Sequence, residues 1–117
     1  MLIVDAHQDL AWNMLTFQRD YTRPVSETRR IEQGTQVPDL NGDTLLGWPE
    51  YQQGHVALVF STLFASPLRR KTGDWDTQCY ADQKQARSMY LRQLHAYHYL
   101  VEKFPQKFQW VMTARDL

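Results

Sequence analysis

The chain has a single cysteine, Cys79, which excludes an intrachain disulfide and suits a reducing compartment. A lone cysteine in a helical pattern packs as a small apolar residue more readily than it serves as a nucleophile. Net charge is also lacking: 13 Lys and Arg balance 13 Asp and Glu, so no electrostatic pull toward nucleic acid or an acidic membrane is expected. No apolar run is long enough to span a bilayer. The opening Met1-Leu2-Ile3-Val4-Asp5 has neither the cationic start nor the apolar core of a signal peptide, which points to a cytoplasmic protein. There is no internal repeat, glycine-rich phosphate loop, Cys-x-x-Cys pair or low-complexity tract. What is present is globular: 43% hydrophobic and 22% charged residues, at a length that suits one domain.

The most informative stretch is Ile3-Val4-Asp5-Ala6-His7-Gln8-Asp9-Leu10. A short apolar run ends in a histidine and an aspartate two residues apart. In an extended strand, residues i and i+2 share a face, with Cα atoms roughly 7 Å apart. His7 and Asp9 are therefore predicted to project side by side, with Gln8 pointing the other way. An imidazole and a carboxylate can converge on one ion, and both are common zinc ligands. The plainer alternative is that the two bond to each other or to backbone at a strand end. By the same alternation Asp5 shares their face one step deeper. It reads more readily as a hydrogen-bonded structural carboxylate than as a third acid.

Strands are predicted near residues 2–6, 56–63 and 108–112. The second is the strongest: Val56 to Phe64 is apolar on both faces, as a buried parallel strand should be. Ser61, Thr62 and Phe64 at its end would line the mouth of a site; Ser61 has no base beside it in sequence and reads as a pocket-wall residue. Ala11 to Asp20 reads as a short helix or irregular segment, broken at Thr22-Arg23-Pro24. Ser26 to Gly34 reads as a helix with Ser26 as N-cap and Gly34 as C-cap. Within it, Arg29 and Arg30 can grip a substrate carboxylate or simply form a solvated face. Asn41-Gly42-Asp43 is a turn signal, and Trp48 to Gly54 one helical turn with proline at its start.

Asp74 or Asp76 is expected to cap a long helix over 76–104. Its apolar stripe runs through Cys79, Ala86, Tyr90, Leu94, Tyr97, Val101 and Phe104. His95, His98 and Glu102 flank that stripe at i, i+3 and i+7. The outer face of such a helix lies away from chemistry, so they are not read as a metal site. Pro105 ends the helix. Thr113-Ala114-Arg115-Asp116 has the pattern of a helix start.

Val4-Asp5-Ala6-His7-Gln8-Asp9-Leu10 resembles the opening strand of the renal (membrane) dipeptidase family. Pro38-Asp39-Leu40, then Gly54-His55-Val56 through Leu63, is similar to the family's segment leading into strand two. The helix ending at Phe104-Pro105 and the closing Phe108 to Leu117 fit in order and spacing. The resemblance covers most of the chain, but only His7-x-Asp9 is chemically specific. Where the family usually has Gly or Thr before the histidine and Asn after it, this chain has Ala6 and Gln8.

The resemblance implies a zinc-dependent (β/α)8 TIM barrel, of which this α/β chain would be the N-terminal part, with about three parallel strands. A complete barrel needs about 250 residues. It also implies two zinc ions, with His7 and Asp9 among the ligands of the first. A bridging glutamate, two later histidines and the acid–base residue would lie beyond Leu117. No catalytic residue is therefore assigned within residues 1–117, which alone are expected to be inactive. The implied reaction is dipeptide hydrolysis by metal-activated water, and the family admits a homodimer at full length. Two other readings stand beside it: a different metal-dependent amidohydrolase or deaminase sharing only the His-x-Asp strand, and a non-catalytic small α/β binding module.

Overall fold

The two strongest apolar runs form the two longest strands. In the computed structural model, which describes residues 1–117, β1 (Ile3–Gln8) and β2 (Val56–Ser61) pair in parallel. The register is Ile3 against Val56, Val4 against Leu58, Asp5 against Val59 and Gln8 against Ser61. Between the last two pairs β1 advances three residues while β2 advances two, so β1 carries an irregularity of the bulge type around Ala6 and His7. A bulge re-aims the side chains that follow it. This one lies immediately before the end of β1.

Four helices connect the strands: α1 (Leu10–Phe17), α2 (Val25–Glu32), α3 (Val37–Asn41) and α4 (Trp48–Gln53). After β2 the chain makes a two-residue parallel pairing between β3 (Ser66–Pro67) and β4 (Cys79–Tyr80), then enters α5 (Gln83–Lys103). The result is a mixed α/β structure with short parallel strands. No helix is long and apolar enough to cross a membrane.

The core sits between α1 and α5. Leu10, Ala11, Tyr21, Ala96 and Tyr97 are buried together, with Met14, Leu15, Leu46 and Phe108 packed against them. The sheet is left comparatively bare: Val4 and Phe60 are each 58% exposed. A buried ion pair organises the long β1–β2 connection. Arg19 donates to both carboxylate oxygens of Glu32, at 2.7 and 3.1 Å, and to the carbonyl of Gly42 at 2.7 Å. That ties the end of α1 to α2 and to the exit of α3. Gly47 allows a close crossing, since a Cβ there would collide with the Arg23 carbonyl and come within 2.6 Å of the Glu50 carboxylate.

Several sequence expectations need correction. Residues 108–112 are not a strand. Their aromatic side chains dock on helices instead: the Phe108 ring lies 5.6 Å from Trp48, and Trp110 lies 6.5 Å from Tyr97 and 5.2 Å from His98. That docking keeps their backbone out of the sheet, which therefore has two long strands rather than three. The long helix begins at Gln83 rather than near 76, because the β3–β4 pairing holds Cys79 and Tyr80 extended. Its cap is Asp82, which accepts from the Gln85 amide at 2.8 Å. Asp76 is buried in the preceding loop, and Asp74 pairs with Lys71 at 3.5 Å. The buried line of α5 runs through Gln93, Ala96, Tyr97 and Leu100. A polar Gln93 is admitted there because its amide bonds both the N–H and the C=O of Phe64. α2 starts one residue before Ser26, with Pro24 at the cap position. The Thr113–Asp116 capping box does form, closing one short turn.

Candidate functional site

His7 and Asp9 meet at the C-terminal end of β1. His7 Nε2 lies 3.3 Å from Asp9 Oδ2, with the imidazole 68% and the carboxylate 33% exposed. Asp9 sits just past the strand, at the N-cap position of α1. An aspartate there ordinarily accepts from the free amides of the first helical turn. Asp9 makes no such bond. Its Oδ1 instead accepts from the Thr62 hydroxyl, at the end of β2, and its backbone carbonyl accepts from Asn13 Nδ2 at 3.0 Å.

Three further residues lock this junction. Thr62 donates its backbone N–H to the Gln8 carbonyl at 3.0 Å, continuing the β1–β2 pairing by one residue. The buried Tyr97 phenol donates to the Thr62 carbonyl at 2.8 Å and accepts from the Ala11 amide at 3.2 Å. Burial holds the Tyr97 phenol above its usual range, so it stays protonated and remains a donor. Gln8 is buried, its side-chain Oε1 accepting from the Tyr51 hydroxyl and its side-chain NH₂ donating to Asp5 at 2.7 Å.

Asp5 is the hydrogen-bonded structural carboxylate expected, its side chain bound to that of Gln8. The Gln8 amide, followed by the His7 backbone N–H at 3.0 Å, holds the Asp5 carboxyl below its ordinary range. It acts as a brace for the strand end.

The donor set suits a divalent cation in part. An imidazole nitrogen and a carboxylate oxygen converge, both reachable from solvent, and both are zinc ligand types. A catalytic zinc usually takes three protein ligands, and no group of three or more His, Cys, Asp or Glu side chains comes together in this chain.

The other candidates lie elsewhere. Arg29 donates to the Thr44 carbonyl at 3.0 Å, and Arg30 is exposed; both line an open polar cleft with Ser26, Asp39 and Asp43. Ser61 is exposed and faces the Tyr97 phenol, which being protonated cannot serve as its base. Cys79 is buried, its Sγ 3.2 Å from Ser66 Oγ, and burial raises its thiol, so it packs rather than reacts. His95 and His98 are exposed on α5, with His98 Nδ1 3.9 Å from Glu102.

In the sequence Thr62 stands out only as a residue of the mouth and Tyr97 only as part of a stripe. A signal for both was available. A hydroxyl at the end of an apolar strand and a tyrosine on a buried stripe each require a polar partner. No family model matches this chain, and no curated protein or solved structure matches it.

Proposed function

We propose that this chain is the N-terminal part of a zinc-dependent dipeptidase of the TIM-barrel type, with His7 and Asp9 as metal ligands. The observation that carries the reading is the convergence of His7 Nε2 and Asp9 Oδ2 at the C-terminal end of a parallel strand. That is the end at which α/β barrels assemble their sites. The bare faces of the β1–β2 sheet also support it, since parallel sheets are ordinarily covered on both faces.

In this reading His7 binds through Nε2 and Asp9 through Oδ2. Thr62 holds the other Asp9 oxygen. A zinc ion held there would polarise a scissile carbonyl and lower the pKa of a coordinated water to about 7. The remaining ligands and the acid–base group belong to other parts of the barrel. The substrate is a dipeptide.

The test is made on the full-length protein. His7→Ala and Asp9→Ala should each remove bound zinc and dipeptide hydrolysis together, while His95→Ala and His98→Ala leave both near wild type. Atomic emission and a dipeptide hydrolysis assay on the four variants decide it. Zinc retained in His7→Ala but lost in His98→Ala overturns the assignment.

A further inference from the structure

We infer that Thr62 and Tyr97 are positioning residues that keep the Asp9 carboxylate free of the α1 N-terminus and aimed, through Oδ2, at the position shared with His7. The inference rests on the metal-ligand reading above and extends it to two residues outside the His-x-Asp pair.

Asp9 stands at the N-cap position of α1. An aspartate at the N-cap has a strong local alternative, because unpaired amides of the first helical turn lie within reach of its side chain. A carboxylate engaged there would be pulled along the helix axis, away from His7. In this protein one of those amides, that of Ala11, is taken by the Tyr97 phenol 86 residues away. Tyr97 thus takes one of the amides from which Asp9 could otherwise accept. The same phenol donates to the Thr62 carbonyl, which fixes the end of β2 against the start of α1.

Thr62 completes the arrangement. Its hydroxyl holds Oδ1 of Asp9, leaving Oδ2 as the oxygen that faces His7. Its backbone N–H on the Gln8 carbonyl fixes where that hydroxyl stands. One carboxylate oxygen is therefore committed to the neighbouring strand, while the other pairs with His7 Nε2 and is the one a cation would share with it. Outer-shell partners of this kind typically contribute about 10–100-fold to metal affinity.

The experiment titrates zinc alone into the metal-free full-length protein by calorimetry, for wild type, His7→Ala, Thr62→Val, Thr62→Ser and Tyr97→Phe. Thermal unfolding of each variant is recorded beside it. The expected result is zinc binding by wild type that His7→Ala abolishes. Thr62→Val should weaken it by about tenfold or more, and Thr62→Ser, which keeps the hydroxyl, should return it to within about threefold of wild type. Tyr97→Phe should also weaken binding by about tenfold, because the freed Ala11 amide competes for Asp9, and it carries the same test should Thr62→Val fail to fold. A wild type that binds no more tightly than His7→Ala overturns the metal-ligand reading and this inference with it. If wild type binds through His7, the positioning role alone is overturned by wild-type affinity in a folded Thr62→Val or Tyr97→Phe. It is equally overturned by a Thr62→Ser as weak as Thr62→Val.

Discussion

The Arg19–Glu32 pair provides the sharpest test of how the β1–β2 connection is held. Both side chains are buried, at 7% and 6% exposure, and the contact is bidentate. Removing one partner from a buried pair typically costs about 3–5 kcal/mol, because the other charge is left unpaired in a low-dielectric setting. Glu32→Gln keeps the volume and one acceptor oxygen. Arg19 also retains the Gly42 carbonyl at 2.7 Å and a longer contact to Asn13 at 3.5 Å. The expected loss therefore falls at the low end, about 3 kcal/mol. For a chain of this size that corresponds to a drop of roughly 10 °C in Tm. Urea unfolding followed by far-ultraviolet circular dichroism measures it, with the slope unchanged if only the native state is affected. The double variant Arg19→Met/Glu32→Leu should recover most of the loss, since an apolar pair of similar volume removes the desolvation cost along with the attraction. A Glu32→Gln variant within about 0.5 kcal/mol of wild type, the size of an ordinary surface change, refutes the reasoning. So does a double variant no more stable than the single one.

Two further outcomes follow from burial and close approach. Tyr21, Tyr51 and Tyr97 all have phenols raised above the ordinary 10.0, mainly by burial. A raised folded value means that their stabilising contribution is complete below pH 10 and is lost as the pH climbs from there toward the folded values. Alkaline titration should show these three ionising only with unfolding, read by tyrosinate absorbance alongside circular dichroism; full ionisation of all six tyrosines with the helical signal intact contradicts this. Gly47→Ala should destabilise by about 1–3 kcal/mol, because the added Cβ has no room beside the Arg23 carbonyl and the Glu50 carboxylate. Chemical denaturation measures it, and a neutral substitution would mean that the turn before α4 can move aside.

What was legible in the sequence were features carried by neighbours in the chain. β1 and β2 follow from apolar, β-branched runs, α4 from a Trp-Pro start before a glycine, and the closing capping box from Thr113 and Asp116. What was not legible depends on partners far away. Phe108 to Met112 has the composition of a strand, but a strand exists only if its backbone finds a neighbour, and here the aromatic rings secure the segment on α4 and α5. The Arg19–Glu32 pair spans 13 residues with no local periodicity to announce it. The irregularity in β1 is a relation between two strands, so alternation within one of them does not announce it.

The distribution of burial bears on the barrel reading more directly than the strand count does. The packed interior lies between α1 and α5, while Ile3, Val4 and Phe60 on the strands remain 42%, 58% and 58% exposed. Burying such a side chain stabilises by about 1.5–3 kcal/mol, so leaving several on one small parallel sheet forgoes a substantial part of an ordinary domain's stability. Parallel strands are a poor choice for a sheet that faces water, because their crossover connections normally bring helices over both faces. Here those connections pack mainly on one another. On the proposed reading, further strands would flank β1 and β2 and further helices would cover them, and both requirements would be met by the same elements. On that reading those elements would also surround the C-terminal end of β1, where the remaining ligands would join His7 and Asp9. The exposed sheet and the His7–Asp9 pair would then be one property, because a barrel builds its cover and its catalytic rim from the same β/α units.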